Sequence, residues 1–325
     1  MSSFLVTGAN GFIGHHLVSV LAGRGFAVKQ AVRCHPGAPE PSGGIYAVGD
    51  IGPATDWDSA LDRVDVVVHL AARVHLLKDG ASDPENEYRI TNVRGTERLA
   101  RRAAASGVRR LVYLSSIGVN GSHSGTGVFT ERDRPSPHDA YTLSKWEAEK
   151  VLHAVSDETG LEIVILRPPL VYGPGNPGNF LRLLELVASG WPLPLRDFNN
   201  RRSLLFVGNL VDAIIHCASH PSATGQTYLV RDGDDISTSE LIRRLAELMG
   251  RPARLFSFPS SLLRGTAKMI GKSTDIDRLM NSLAVDDSKI RAALGWQPPF
   301  SLTDGLRETV SWFVAGRSAS RSDDS

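Results

Sequence analysis

The chain is poor in cysteine: Cys34 and Cys217 are its only two among 325 residues. Two thiols cannot build a disulfide framework, and no CxxC or Cys/His spacing offers a zinc site. No metal centre is expected, and the thiols read as reduced groups in a cytosol. Also missing is any uncharged apolar run near the roughly 18 residues that a membrane span requires. Neither sign of charge is in excess, since 36 Lys and Arg against 35 Asp and Glu leave a net +1. That balance carries no footprint for nucleic acid. The ten histidines are scattered and read as ordinary core or surface residues. Met1-Ser2-Ser3 leads straight into a strand-like run without a signal peptide, so a soluble cytoplasmic protein is expected.

What the chain does have is alternation. Short β-branched runs at Phe4 to Val6, Ala27 to Val32, Ile45 to Val48, Val64 to Leu70, Arg110 to Ser115 and Ile163 to Leu166 read as strands. Helical spacing fills the intervals from Gly11 to Leu21 and over 56–62, 85–106 and 138–159. The strand runs are apolar on both faces, as buried parallel strands are. This pattern predicts an α/β protein with a doubly wound, Rossmann-type parallel sheet. After Pro168-Pro169 the texture changes, with glycines and prolines clustered in Gly173-Pro174-Gly175-Asn176-Pro177-Gly178. Further helices are expected near 209–219, 238–249 and 302–315. The reading divides the chain into a dinucleotide-binding domain over 1–170 and a smaller, mainly substrate-facing lobe over 171–316. Some elements of that lobe are expected to return to the sheet. Residues 317–325, rich in Ser, Arg and Asp, read as a disordered tail.

Thr7-Gly8-Ala9-Asn10-Gly11-Phe12-Ile13-Gly14 stands between the first strand and the first helix. Gly8 permits a tight turn, Gly11 lets backbone approach a pyrophosphate, and Gly14 lets the helix pack on the strand. The free N–H groups of the helix start, around Phe12 and Ile13, then face the phosphates. The second strand ends without a carboxylate, at Val32-Arg33. A carboxylate there would bond the 2′-hydroxyl of NAD, whereas Arg33 suits a 2′-phosphate. NADP(H) is therefore favoured within an NAD(P) site, although Arg33 stacking on adenine would leave NAD(H) open. Asp50 and Ile51, after the third strand, fall where adenine would lie. Leu70, Ala71 and Ala72 end the fourth strand with residues small enough to let a cofactor pass.

Tyr141 and Lys145 are four apart on an expected helix and so share a face. A phenol ionises near pH 10, and a neighbouring ammonium and a positive nicotinamide would both favour its phenolate. Bringing that pKa toward 7 takes roughly 4 kcal/mol of differential stabilisation. Ser116, ending the fifth strand, would bond the same substrate oxygen that Tyr141 protonates or deprotonates.

Taken together, these motifs resemble the extended short-chain dehydrogenase/reductase family, in its nucleotide-sugar epimerase, dehydratase and reductase branch. The likeness also rests on His69-Leu70-Ala71-Ala72, Asn92-Val93-Arg94-Gly95-Thr96, Tyr113-Leu114-Ser115-Ser116 and Arg167-Pro168-Pro169-Leu170-Val171-Tyr172-Gly173. It runs to about Trp312. The resemblance implies a Ser116–Tyr141–Lys145 triad, with Lys145 also on the nicotinamide ribose and Pro168 beside the cofactor. It implies a UDP-sugar substrate gripped at the diphosphate by Arg202 and by a second arginine, for which Arg278 is the candidate. Asn179 and Phe180 match positions that contact sugar or base. A homodimer through the helices near 85–106 and 138–159 is a further implication.

The departures narrow the reaction. Family 4,6-dehydratases place Asp-Glu after the triad hydroxyl, and this chain has Ile117 and Gly118. Family 4-epimerases tend to carry an Asn within the segment matching 168–171, and this chain has none. Ser115 to Gly121, Pro192 to Leu195 and Asn200 to Leu204 resemble bacterial surface-polysaccharide enzymes that reduce UDP-4-keto-6-deoxy-N-acetylhexosamines at C4. Such a C4 reductase is the expected activity. A UDP-hexose 4-epimerase is the alternative, and a non-catalytic cofactor-sensing protein the third.

Overall fold

The computed structural model describes residues 2–33, 44–74, 83–259, 262 and 279–322. The first half follows the expected alternation: β1 (Ser3–Thr7), α1 (Phe12–Gly23), β2 (Ala27–Val32), β3 (Ile45–Ala47), α2 (Asp58–Leu61) and β4 (Val66–His69). Then come α3 (Pro84–Tyr88), α4 (Gly95–Ala105), β5 (Arg110–Leu114), α5 (Ala140–Thr159) and β6 (Glu162–Arg167). Seven parallel strands form one sheet, and its order places β1 between β2 and β4. The winding therefore reverses at β1, and the carboxyl ends of β1 and β4 open a crevice there. Ligands of open α/β sheets bind at such a switch point.

Side chains alternate across the sheet, and that alternation builds two cores. Phe4 and Val6 of β1, with Val112 and Leu114 of β5, face Leu17 and Leu21 of α1. Leu5, Val67, Leu111 and Tyr113 face Leu99 and Ala103 of α4 and Leu152 and Val155 of α5. A third core belongs to the later part of the chain. It gathers Tyr172 of β7 (Leu170–Tyr172), Phe180 and Leu184 of α6 (Asn179–Ser189), and Phe206 of β8 (Leu204–Phe206). The next elements, α7 (Val207–Ser219) and β9 (Thr227–Leu229), return to the main sheet, with β9 pairing β6 at its edge. The third core is completed by α8 (Thr238–Leu248) and α10 (Leu302–Ser322), while α9 (Ser288–Leu294) packs on the first core. Asp232 fastens the parts together. It accepts from Tyr172 OH at 2.8 Å, Phe206 N at 2.7 Å and Asn209 Nδ2 at 2.8 Å.

Three differences from the sequence reading have physical causes. Helix α6 follows directly on the Gly/Pro cluster, which hid an amphipathic run behind breakers. Strands β7, β8 and β9 have only three residues each, too few to show a period. Helix α10 continues to Ser322, into the stretch read as a disordered tail, while 323–325 lie outside the described residues. His216 and His220 are four apart, but α7 ends at Ser219 and His220 is extended, so they share no helix face.

Candidate active site at the switch point

The glycine-rich turn is built as its spacing implies. Gly8 has φ +67°, a left-handed conformation that glycine adopts without strain, and Gly11 N donates to Gly8 O at 2.9 Å. A β-carbon on Gly14 would lie 2.1 Å from Gly8 O, so only glycine lets α1 start this close to the turn. Phe12 and Ile13 open α1, whose first N–H groups have no side-chain cap and are available to an anion. These features fit a dinucleotide pyrophosphate. Across the crevice, a β-carbon on Gly8 would stand 3.0 Å from Ala71 N. Leu70, Ala71 and Ala72 are half-buried along that wall.

Thr7 and His69, quoted in the motifs but not as site residues, hold the two walls together. Thr7 Oγ1 accepts from Leu70 N and Ala71 N, both at 3.2 Å, and meets His69 Nδ1 at 2.7 Å. With both acceptor positions used, the hydroxyl gives its single proton to Nδ1. The His69 proton then sits on Nε2 and is donated to Thr96 Oγ1 at 3.0 Å. Burial, with the Lys145 ammonium adding, pushes the His69 pKa down from 6.5 to about 3. The unfolded chain protonates His69 near pH 6.5 and the folded one only near 3. Its contribution to stability is therefore present above pH 6.5 and lost as pH falls toward 3, at about 1.4 kcal/mol per pH unit. A His69→Gln variant is expected to flatten the slope of unfolding free energy against pH between 6 and 4. Parallel slopes for variant and parent in denaturant titrations would refute that assignment.

Ser116 follows β5 in extended conformation, and its Oγ accepts from Gly118 N at 3.1 Å, which leaves the hydroxyl proton to give. Helix α5 begins one residue before Tyr141, fixed by a capping box in which Thr142 N donates to Asp139 Oδ1 at 2.7 Å and Asp139 N to Thr142 Oγ1 at 3.1 Å. The Ser116 turn meets this first helical turn at Gly118, where a β-carbon would stand 2.4 Å from Thr142 Cγ2. Sequence reading registered Gly118 only as a missing acid. The structure adds that a larger residue there would displace the turn carrying Tyr141.

Lys145 is buried, donates to Leu114 O at 2.9 Å and lies 4.7 Å from the centre of the Tyr113 ring. Burial pushes its pKa down to about 7, with the Glu149 carboxylate opposing the shift. Its Nζ stands 6.0 Å from the centre of the Tyr141 ring. Burial first, then Asp139 and Tyr88, raise the Tyr141 pKa above its usual value. The ammonium alone thus does not bring the phenol toward neutrality, and of the two charges expected to favour the phenolate the positive nicotinamide is the other. Desolvation of a buried phenolate outweighs a cation that far from the ring. The Tyr88 ring lies edge-on to Tyr141 at 6.2 Å. The helix carrying Tyr88 widens to a π-turn over Arg89–Arg94, where buried Asn92 donates to Ser144 Oγ at 2.9 Å and Arg73 O at 3.0 Å. That bond ties the helix to α5 between Tyr141 and Lys145.

The remaining expected site residues divide. Arg33 pairs with Asp50, Nε to Oδ1 at 2.8 Å, both side chains largely exposed. Ile51 packs against the start of α4, where a β-carbon on Gly95 would meet its Cγ2 at 2.6 Å. Pro168 is buried, and its carbonyl accepts from Ile117 N at 3.0 Å, bracing the Ser116 turn from β6. Asn179 is exposed at the start of α6, but the Phe180 ring is stacked on Tyr172 at 5.0 Å inside the third core. That ring is packed in the third core. Arg202 is half-buried, with its backbone paired to Ile236 and Nη1 donating to Asn281 O at 3.4 Å. Arg278 lies outside the described residues.

The fold is a Rossmann-type parallel sheet with a glycine-rich turn at its switch point, and Ser116 follows β5 while Tyr141 and Lys145 lie in the first turns of α5. The chain belongs to the NAD dependent epimerase/dehydratase family, whose sequence pattern matches residues 4–230. It is 42% identical to a UDP-glucose 4-epimerase of Vibrio cholerae over 315 residues, covering 96% of this chain and 95% of that one. It is 28% identical to an N-acetyl-α-D-glucosaminyl-diphospho-ditrans,octacis-undecaprenol 4-epimerase of Escherichia coli O157:H7, covering 95% of this chain and 94% of the relative. Among solved structures it resembles MoeE5 in complex with UDP-glucose and NAD, at TM-score 0.75 and 28% identity, with 98% of this chain and 100% of that chain covered. Among the described residues no helix is long and apolar enough to cross a membrane.

Proposed function

We propose that the protein is an NAD-dependent UDP-hexose 4-epimerase. The observation that carries this reading is the 42% identity, over nearly the full length of both chains, to a UDP-glucose 4-epimerase. The comparisons support this alternative better than the C4 reductase favoured from sequence. The Arg33–Asp50 pair supports NAD over NADP. The arginine already has an anionic partner, and that carboxylate would repel a 2′-phosphate while remaining able to accept from a ribose hydroxyl.

When bound, NAD supplies reversible hydride acceptance at the sugar C4. The glycine turn from Gly8 to Gly14 holds its pyrophosphate, and Lys145 its nicotinamide ribose. To take the proton from the O4 hydroxyl as C4 is oxidised, Tyr141 would act as its phenolate, a form that the Lys145 ammonium and a bound positive nicotinamide would favour against burial; the phenol so formed would return the proton after the ketone has turned its other face. Ser116 donates a hydrogen bond to the same oxygen. Arg202 is the candidate grip on the diphosphate, because a guanidinium keeps its charge and binds in bidentate fashion. The 4-keto reductase remains the second reading, favoured by one observation. Burial holds Tyr141 as a neutral phenol, the form that a reductase uses to protonate O4.

The test is to denature the purified protein, identify any released nucleotide, and incubate the native protein with UDP-glucose and UDP-N-acetylglucosamine without added cofactor. Released NAD and appearance of the C4 epimer are the expected results. A nucleotide-free protein that forms no epimer, yet consumes NADH or NADPH with a UDP-4-keto-6-deoxy-N-acetylhexosamine, would replace the epimerase with the reductase.

A further inference from the structure

Glu149 lies one helical turn beyond Lys145 on α5 and is fully buried, at 0% exposure. Its Oε1 accepts from Ser115 Oγ and from Arg167 Nε at 2.9 Å, and its Oε2 accepts from Arg167 Nη2 at 2.5 Å. The remaining Arg167 nitrogen, Nη1, donates to Asn120 Oδ1 at 2.9 Å. The carboxylate therefore grips β6 through Arg167 and the exit of β5 through Ser115. Ser115 stands between Leu114, whose carbonyl accepts from Lys145 Nζ, and Ser116. One buried carboxylate thus clamps the segment on which both Lys145 and Ser116 depend.

The charges around Lys145 give the same carboxylate a second role. The ammonium is faced by the Tyr113 ring from β5, by neutral His69 from β4, and by Tyr141 and Glu149 from its own helix. Arg167 of β6 stands behind Glu149 as a second buried cation. Among these groups Glu149 carries the only formal negative charge. A buried ammonium without an anion nearby tends to lose its proton, because burial disfavours the charged form.

We propose that Glu149 is a positioning residue for the Ser116–Tyr141–Lys145 site, keeping the Lys145 ammonium charged and holding the β5 exit in register through Ser115. The role in turnover rests on the oxidoreductase reading above, while the effect on Lys145 does not require it. A buried ion pair could instead be purely structural, and the test separates the two.

The test follows the Lys145 titration by NMR of 13Cε-labelled lysine, assigned by loss of its signal in Lys145→Arg, with the full chain carrying its bound nucleotide. Two variants are compared with the parent: Glu149→Gln, and the double variant Glu149→Met with Arg167→Met. The double variant removes the Glu149–Arg167 ion pair together, so it does not leave the Arg167 guanidinium buried without its partner as the single one does. The Lys145 midpoint is expected to fall by about one pH unit or more in Glu149→Gln, and by less in the double variant, where loss of the Arg167 cation offsets part of the effect. The alkaline limb of the kcat–pH profile should move down with it while KM for the UDP-sugar holds. An unchanged midpoint in either folded variant would overturn the proposal and leave Glu149 a packing element. Because the titration needs no turnover, absence of epimerisation would count against the proposed function and not against this role.

Discussion

Tyr141→Phe is expected to lower turnover by roughly 10²–10⁴-fold, the range that a positioned acid–base group contributes. The substitution removes one oxygen and leaves the ring that packs against Tyr88. The capping box that starts α5 involves Asp139 and Thr142, not the phenol, so the helix keeps its beginning. NAD and UDP-sugar affinities should therefore stay within a few-fold of the parent, and the loss should fall on kcat. Loss in kcat without loss of binding identifies a group acting in the transition state. Steady-state kinetics beside calorimetric binding of UDP-glucose checks both halves. Near-parental kcat would remove Tyr141 from the chemistry. A kcat loss matched by lost binding would instead mark it as a residue that positions substrate.

Why that site was legible from sequence follows from how its parts are encoded. The Gly8–Gly11–Gly14 spacing and the Tyr141–Lys145 spacing are local, so a helix and a turn fix their geometry with little help from elsewhere. Strands β1, β4, β5 and β6 are readable because parallel strands buried on both faces leave continuous apolar runs. Contacts made across long sequence separation left no such trace. Nothing near Arg33 says that it pairs with Asp50, 17 positions away on the next strand's exit, so the sequence alone favoured a 2′-phosphate. Phe180 matched a substrate position, yet only the packing of Tyr172 against it shows that its ring is part of the core. The Thr7–His69–Thr96 chain joins β1, β4 and α4, and polar residues of those types are too common for spacing to single them out. The choice between one-way reduction and epimerisation is of the same kind. The same three groups serve both, and the difference lies in how firmly the cofactor is retained and which face of the sugar is offered.

Cofactor retention is where a second large effect is expected. A β-carbon at Gly14 would stand 2.1 Å from Gly8 O and 2.8 Å from Ala9 Cα, both main-chain atoms that cannot swing aside as a side chain would. Gly14→Ala must therefore shift the turn away from α1 and disturb the Gly11 N to Gly8 O bond. Overpacking of this kind costs about 1–3 kcal/mol of stability. Losing one or two aligned N–H donors to a pyrophosphate costs a similar amount in binding, which weakens NAD by roughly 10–100-fold. Gly23, in the last turn of the same helix, supplies the control, since a β-carbon there meets nothing within 4 Å. Gly23→Ala should leave NAD affinity unchanged and stability equal or higher, because alanine loses less backbone entropy in a helix than glycine. Thermal unfolding and NAD titration of the two variants side by side provide the measurement. If Gly14→Ala binds NAD as tightly as Gly23→Ala does, the α1 start is not the pyrophosphate site, and the cofactor assignment loses its main support. If only Gly14→Ala releases NAD during purification, the glycine turn is what holds the cofactor through the two half-reactions. An epimerase depends on that retention, and a reductase, which exchanges its cofactor every cycle, does not.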